Sequence, residues 1–388
     1  MYRISYYTGN KLETIYNSAL NNNEIESALF HPAVNSVGSL TLKILPSHSA
    51  YSSFEILKGI ITLYRFDKII FKGRIYNISI DDYNIKTVEI EGILGILNDT
   101  IVKPYKYNSS NNIDGSVSTN KFGNWLYQIS NNHNKQTTGS TNFFTYDISD
   151  DLKNLSFTCS SSRYSTTWEE ISERFIKGLG GYLWIEYGTN IATTENDILH
   201  FESELSAPSS QEIRYAVNLI SIKRKYSADD FATAILPLGA KYKDETGTEH
   251  RTSIYSVNEN NSEFLIDVEA VEKYGRINKV VEFDGVSSPA ELLELSKKKL
   301  AAYLYLSGEL TISAVDLSLQ NNSENYFDIG QKIRLISEPH NVDTTVMLTE
   351  AEIELTKPQD GTYSLGVTKK SQAKELISKF FKTQSGGV

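Results

Sequence analysis

The chain has one cysteine, Cys159, in 388 residues, so no intrachain disulfide can form and the fold must rest on its core alone. Basic charge is also short. Lys and Arg number 38 against 48 Asp and Glu, which leaves a formal net charge of −10. A protein that holds DNA by neutralising phosphates is expected to be basic, so the bulk charge argues against that role and leaves open only a local patch. The opening "MYRISYYTGN" lacks the continuous apolar core of a signal peptide, and none is expected; synthesis in a cytosol follows. No stretch approaches 18 apolar residues, so no membrane insertion is expected.

Chemical signatures are equally scarce. H-E-x-x-H, G-x-S-x-G, the P-loop and G-x-G-x-x-G are all absent. Six histidines (His31, His48, His133, His200, His250, His340) are scattered singly, and none is spaced from another His or Cys as metal ligands are. Cys159 lies among small residues and reads as a half-buried apolar group. Asn112, Asp114 and Gly115 match part of an EF-hand loop, but Ser110 and Lys121 fall where its outer ligands belong. The Asp pairs at 81–82, 150–151 and 229–230 read as turn residues, and Glu169 and Glu173, beside Arg174, as a solvated helix face. No catalytic, metal or cofactor-binding residue is singled out, and neither a cofactor nor an enzymatic activity is expected.

Aromatic residues make up 11%, chiefly 24 Tyr and 16 Phe, which suits β-rich structure. In the first hundred residues "SLTLKIL" alternates Leu40, Leu42 and Ile44 with polar positions. Two apolar runs in "GIITLYRFDKIIFKGRIYNISI" break at Asp67-Lys68, a hairpin signal. Closely spaced short strands of this kind predict a small barrel or sandwich. A polar loop after 101 leads to Phe122, Trp125, Leu126 and Ile129 at helical spacing. A second helix is expected in "STTWEEISERFIKGLGG", with a capping box at Thr166/Glu169 or Thr167/Glu170, an apolar face of Trp168, Ile171, Phe175 and Leu179, and a stop at Gly180-Gly181. A third begins at Ser288, with Pro289 in its first turn, Glu291 completing the box, and Leu293, Leu300 and Leu304 on one face. From 308 the β pattern returns, and "RFDKIIFKGRI" and "YFDIGQKIRLI" share a Phe-Asp pair ahead of an alternating strand. The basic triplet Lys223-Arg224-Lys225 would split across the two faces of a strand, a poor phosphate track.

Several motifs in order resemble the hub region of siphophage and prophage tail-associated proteins, also known as the tail-associated lysin or prophage endopeptidase tail family. They are "IIFKGRIYNI" (69–78), "EIEGILGILNDT" (89–100), "NNHNKQ" (131–136), "TTWEEISERFIKGLGGYLWIEY" (166–187), "QEIRYAVNLISIKRKYSADDFATAILPLGAKY" (211–242), "EKYGRINKVVEFDGV" (272–286), "AVDLS" (314–318) and "FDIGQKIRLISEPHNVD" (327–343). The resemblance implies an α+β, mainly β fold with two similar small β-barrels and two smaller mixed domains per chain. Its expected divisions are 1–100 for the first barrel, 101–205 for a middle α+β domain, 206–242 with 308–370 for the second barrel, 243–307 for an insertion, and 371–388 for a C-terminal helix and tail. It also implies a homotrimer whose six barrels form a ring at the tail tip, closing the tube and opening for DNA and the tape-measure protein. The implied partners are the distal tail protein ring, the tape-measure protein and receptor-binding or fibre proteins, with DNA passing through without specific binding. The implied location is the virion tail tip, assembled in the bacterial host cytoplasm. Two rival readings remain: a peptidoglycan endopeptidase or cell-wall binding module, and the hub of a contractile injection particle.

Overall fold

The computed structural model describes residues 1–20, 24–107, 120–137, 144–228, 231–283, 286–304, 307–321 and 326–366. The EF-hand fragment at 110–115, the pair Asp229-Asp230 and the expected C-terminal helix at 371–388 lie outside the described residues.

The chain divides into two compact units, Met1–Ile222 with Thr311–Gly366 and a second that takes in Lys223–Leu310. The first unit begins with seven strands: β1 (Tyr2–Thr8), β2 (Lys11–Asn17), β3 (Ile25–His31), β4 (Ser39–Ile44), β5 (Ile60–Arg65), β6 (Lys68–Ile80) and β7 (Lys86–Gly92). The sheet thus starts at Tyr2, well before the alternation at Leu40. Leu40, Leu42 and Ile44 are fully buried, as their spacing predicts. The hairpin between β5 and β6 turns on two residues, Phe66 and Asp67, both left-handed at φ 47° and 65°. This matches the twist of the strands it joins, although a phenylalanine in that conformation carries strain.

The chain then forms helix α1 (Phe122–Gln136), strand β8 (Thr145–Ile148), helix α2 (Thr167–Ile171), and strands β9 (Tyr182–Glu186) and β10 (Ile198–Glu202). Strands β8, β10 and β9 form a separate three-stranded sheet in that order. Phe122, Trp125, Leu126 and Ile129 of α1 are fully buried; Phe122 stacks on Phe175 and meets Phe157 edge-on, and Trp125 lies tilted against Phe122 and Phe157. The capping box on α2 uses Thr166 and Glu169: the Glu169 amide donates to Thr166 Oγ1 at 3.1 Å and the Thr166 amide donates to Glu169 Oε2 at 2.9 Å. The helix does not continue as α. Residues Ser172–Lys177 widen into a π-helical turn, which shifts the face. Ile171 and Phe175 are buried, whereas Leu179, expected on the same stripe, is 38% exposed.

Next come β11 (Ile213–Arg214) and β12 (Leu219–Ser227). The second unit contributes β13 (Ala234–Leu238), β14 (Leu265–Ile266), β15 (Asn278–Glu282) and helix α3 (Pro289–Tyr303), and β16 (Ser307–Ala314), β17 (Lys332–Ser337), β18 (Val342–Glu354) and β19 (Thr362–Gly366) follow. Strand β13, expected to belong with the second barrel, lies between β14 and β15 in a sheet of the second unit. The reason is burial: Ala232 and Ile235 pack with Val281 and Leu300 in a small core of that unit. On α3 the Ser288 hydroxyl accepts from the Glu291 amide as expected. The buried stripe, however, is Leu292, Ser296 and Leu300, one residue away from the predicted Leu293.

The two larger sheets share one strand order. The first runs β3-β4-β7-β6-β5 and then β1-β2; the second runs β12-β16-β19-β18-β17 and then β11. In each, a 13-residue strand changes partner halfway. Strand β6 pairs with β5 through Lys68–Gly73 and with β7 through Gly73–Ile80. Strand β18 pairs with β17 through Val342–Met347 and with β19 through Met347–Glu352. Both carry a register shift just past the switch, between Ile75 and Asn77 and between Leu348 and Glu350, which bends the strand and lets the sheet curl. The repeat differs at its edge, where β1 meets β5 antiparallel but β11 meets β17 parallel.

The repeat does not rest on the Phe-Asp pairs. Phe66-Asp67 is a hairpin turn, while Phe327-Asp328 leads into a turn closed by the Gln331 amide on the Asp328 carbonyl at 3.2 Å. Gly73 and Gly330, one in each copy of the repeat, also differ in setting. Gly73 lies mid-strand, where a Cβ would meet the Glu91 carbonyl oxygen at 2.5 Å, and Gly330 sits in the turn at φ 86°. Replacing Gly73 with Val should therefore cost folding stability through a backbone clash. Replacing Gly330 with Val should do so through a conformation that a branched residue avoids. Urea unfolding should register about 1–3 kcal/mol for each; wild-type midpoints would contradict both assignments.

Candidate functional site

The groups that hold the first unit together converge where the two curled sheets meet. Strand β18 ends on β3, pairing Ile353 with Phe30 and Glu354 with Leu29. Around that join the Glu354 carboxylate accepts from Ser27 Oγ at 2.5 Å and from the Ala28 amide at 2.7 Å. Tyr16 Oη donates to the Leu355 carbonyl at 3.0 Å, and His31 lies 2.9 Å from Glu350.

The centre of the seam is a buried ion pair. Arg65, the last residue of β5, places Nη2 at 2.7 Å from Asp316 Oδ2 and 2.6 Å from Ser318 Oγ. Both charged side chains are at most 3% exposed. The guanidinium also lies over the ring of Tyr326, 4.3 Å from its centroid. Asp316 is fully committed: it accepts from Gln211 Nε2 at 2.9 Å and from the amides of Ser318 and Phe327 at 3.0 and 3.1 Å. Burial alone would raise its pKa. Arg65, then Gln211 and Ser318, outweigh burial and hold the carboxyl below its usual range.

A second buried pair fastens β6 to the loop before β10. Lys72 Nζ lies 2.6 Å from Asp197 Oδ1 and 2.7 Å from the Asn190 carbonyl, with both charged side chains fully buried. Burial works against both charges, lowering Lys72 and raising Asp197. In the middle region Glu170 is also buried. It accepts from Tyr105 Oη at 2.8 Å and Ser165 Oγ at 2.7 Å, while Tyr105 Oη accepts from Trp125 Nε1 at 3.0 Å.

The residues weighed in the sequence are dispersed. His48 is buried between the Ile15 carbonyl and the Ala50 amide. His133 is buried against Thr100 at 2.8 Å. His200 stacks on Trp184 between Asp147 and Glu186, His250 meets Asp244, and His340 meets Ser337. Among the described residues no group of three or more His, Cys, Asp or Glu is arranged to hold a metal ion. Cys159 is partly buried beside Tyr105 Oη, and burial pushes its thiol up to about 11, which disfavours a nucleophilic thiolate at neutral pH. Asp81 caps a turn by accepting from the amides of Tyr83 and Ile85, and Asp150-Asp151 opens a short helix. Glu173 pairs with Lys177, as a solvated face predicts. Lys223 is exposed.

Comparison with known proteins adds a partial family match. Residues 207–375 match the model of a family described as prophage endopeptidase tail. The match takes in less than half of the chain. No curated protein matches the chain. Among solved structures, it is similar to the 43 kDa tail protein of prophage MuSo2 from Shewanella oneidensis, at 11% identity over 95% of this chain and 98% of that one, with a TM-score of 0.60. It is similar also to the tail protein from Neisseria meningitidis MC58, at 11% identity over 95% and 97%, with a TM-score of 0.58. Prophage tail protein gp18 from Listeria monocytogenes EGD-e matches at 14% identity over 99% of each chain, with a TM-score of 0.53. These likenesses establish a shared fold.

The matched region brings its own motifs together. Gln211 holds Asp316 and also accepts the Leu317 amide at 3.0 Å. Asn218 is buried and bridges the Arg214 amide at 2.8 Å and the Glu212 carbonyl at 3.0 Å. Together with Phe327, these are residues of the blocks at 211–242, 314–318 and 327–343, brought to one node. Arg65, which completes the node from outside the family match, went unnoticed in the sequence. A single charge ending an apolar strand was its only signal.

Removing one partner leaves the other charge buried. Arg65→Met or Asp316→Asn should each cost about 3–5 kcal/mol in chemical unfolding. The carboxyl is depressed in the fold, so its contribution is full above the ordinary carboxylate range and is lost as pH falls through the lower folded value. An Asp316→Asn variant should therefore lose part of the wild-type stability change below about pH 4. Unfolding curves of the two proteins that run parallel through the acid range would refute the assignment.

Proposed function

We propose that the chain is a structural hub of a phage or prophage tail tip. Three copies form a ring that closes the tail tube and opens for DNA and the tape-measure protein. The observation that carries this reading is the duplicated strand order, its two copies joined through β18 and β3. Three chains with two quasi-equivalent sheets each present six similar modules on a three-fold axis. That count suits a partner ring of six subunits above and a three-fold tip below. The distal tail protein ring and receptor-binding or fibre proteins are the proposed neighbours, and the virion tail tip the proposed location. The family match and the fold shared with prophage tail proteins support a tail role.

The role is read as mechanical. The family's description includes an endopeptidase, which keeps a cell-wall hydrolase as the second reading. Purified chain incubated with cell walls should release no peptide, and release would overturn the mechanical reading. DNA is read as a passing substrate that is not gripped, because the chain carries a net charge of −10. A gel shift at physiological salt should show no micromolar complex.

The decisive measurement is mass in solution. Light scattering should give three times the chain mass of 43.7 kDa, by itself or on addition of a tail-ring partner. A monomer that persists under both conditions would sink the ring.

A further inference from the structure

Beside the seam lies a cavity of about 890 Å³, bounded by β5, β6, β9 and the 326–331 turn, a size typical of small-ligand sites. Nine aromatic side chains line it, and its charged groups are mostly acidic: Asp67, Glu186, Glu202 and Asp328 against Lys68 and Arg65. Arg65 is already committed to Asp316. Asp328 is the key group. Its Oδ1 takes the Ile329 amide at 3.0 Å, and among the described residues no cation lies within 4 Å of it. Burial raises its carboxyl, and Lys68 only tempers that rise. The walls already attract positive charge: Arg65 lies over Tyr326 and Tyr2, at 4.3 and 5.2 Å from the ring centroids, and Arg3 lies 3.8 Å from the centroid of Tyr64.

We propose that this cavity is a binding site for an organic cation, an ammonium group on an apolar or aromatic stem, with Asp328 as its counter-ion. Ring faces attract a cation through their quadrupoles, and a carboxylate in an apolar wall gains from pairing with one. An anion would meet four carboxylates, of which Asp67 pairs with Arg3, and one lysine, Lys68, whose charge already faces Asp328 and the Tyr326 ring. The apolar stem would displace water from the walls. Neither the number of chains in the assembly nor its role in a tail enters this inference.

The indole of Trp184 supplies the reporter. It lies in the cavity wall and donates its Nε1–H to Glu202 at 2.9 Å. The full chain, labelled with ¹⁵N, is titrated with phenethylammonium chloride, and in parallel with phenylacetate and 2-phenylethanol. Phenethylammonium is expected to move the Trp184 indole signal saturably, phenylacetate to leave it in place, and the alcohol to bind more weakly than the ammonium. Asp328→Asn should weaken phenethylammonium binding roughly tenfold or more, as expected for loss of a charge-assisted contact, and Asp244→Asn, in the second unit, should leave it unchanged. If Asp328→Asn lowers the melting temperature, Glu186→Gln serves as the second variant and should weaken binding in the same direction. Equal binding of phenylacetate, absence of a saturable shift, or full affinity in a folded Asp328→Asn protein would each overturn the proposal.

Discussion

The Arg65–Asp316 pair is the contact on which the first unit most depends, because it joins residues 251 apart in sequence within the interior. An ion pair so placed is not a strong source of net stability, since dehydrating both charges offsets much of their attraction. What it supplies is definition. An apolar contact at the same place would tolerate sliding of one sheet past the other, whereas a guanidinium fixed by a carboxylate, a hydroxyl and the face of Tyr326 tolerates little. Asp316 is in turn held by Gln211 and two backbone amides, so a shift of one sheet must break several hydrogen bonds together. Arg65 Nε has no hydrogen-bond partner, which shows that position is kept here even with one donor unsatisfied.

With that joint fixed, the two sheets can differ elsewhere. Between β3 and β4 the chain needs a short loop from His31 to Ser39, but between the corresponding β12 and β16 it runs from Ser227 to Ser307. Closing the longer excursion costs little more, because loop entropy grows only with the logarithm of length. An excursion that long needs a core of its own, and Ala232, Ile235, Val281 and Leu300 provide one. The half-strand switches in β6 and β18 are the features retained in both sheets. They are also what curls each sheet, so they are the least free to vary.

Sequence patterning was most informative where one face alone is buried. The spacing of Phe122, Trp125, Leu126 and Ile129 gave α1, and the alternation of Leu40, Leu42 and Ile44 gave β4. It was off by one on α3, where Leu292 and Leu293 adjoin and only packing selects between them. It failed at Leu179 because a π-helical turn changes the period, and no local residue announces that change. It placed β13 with the wrong sheet, since an apolar strand does not name its partners. The Phe-Asp similarity misled, although the repeat it was meant to support is present in the strand order. As for the seam, Gln211, Asn218, Asp316 and Phe327 all stood in motifs worth quoting, yet their convergence depends on contacts across more than a hundred residues. Glu170 read as an alternative capping-box residue, and only the approach of Tyr105 and Ser165 makes it an interior group.

Charge shows most clearly why composition and surface must be kept apart. The stretch from Arg65 to Arg74 reads as basic, with Arg65, Lys68, Lys72 and Arg74 in ten residues. Three of these four are neutralised within the fold: Arg65 by Asp316, Lys72 by Asp197, and Arg74 by Glu91 at 2.6 Å together with Asp99. A phosphate could recruit them only by breaking pairs that are closed or partly closed to solvent, and two of those pairs also hold separate parts of the unit together. The cations that would make this region grip a nucleic acid are thus spent on architecture. Of these pairs only Arg65–Asp316 borders the neighbouring cavity, where the commitment of Arg65 leaves Lys68 as the other basic group in a lining that holds four carboxylates.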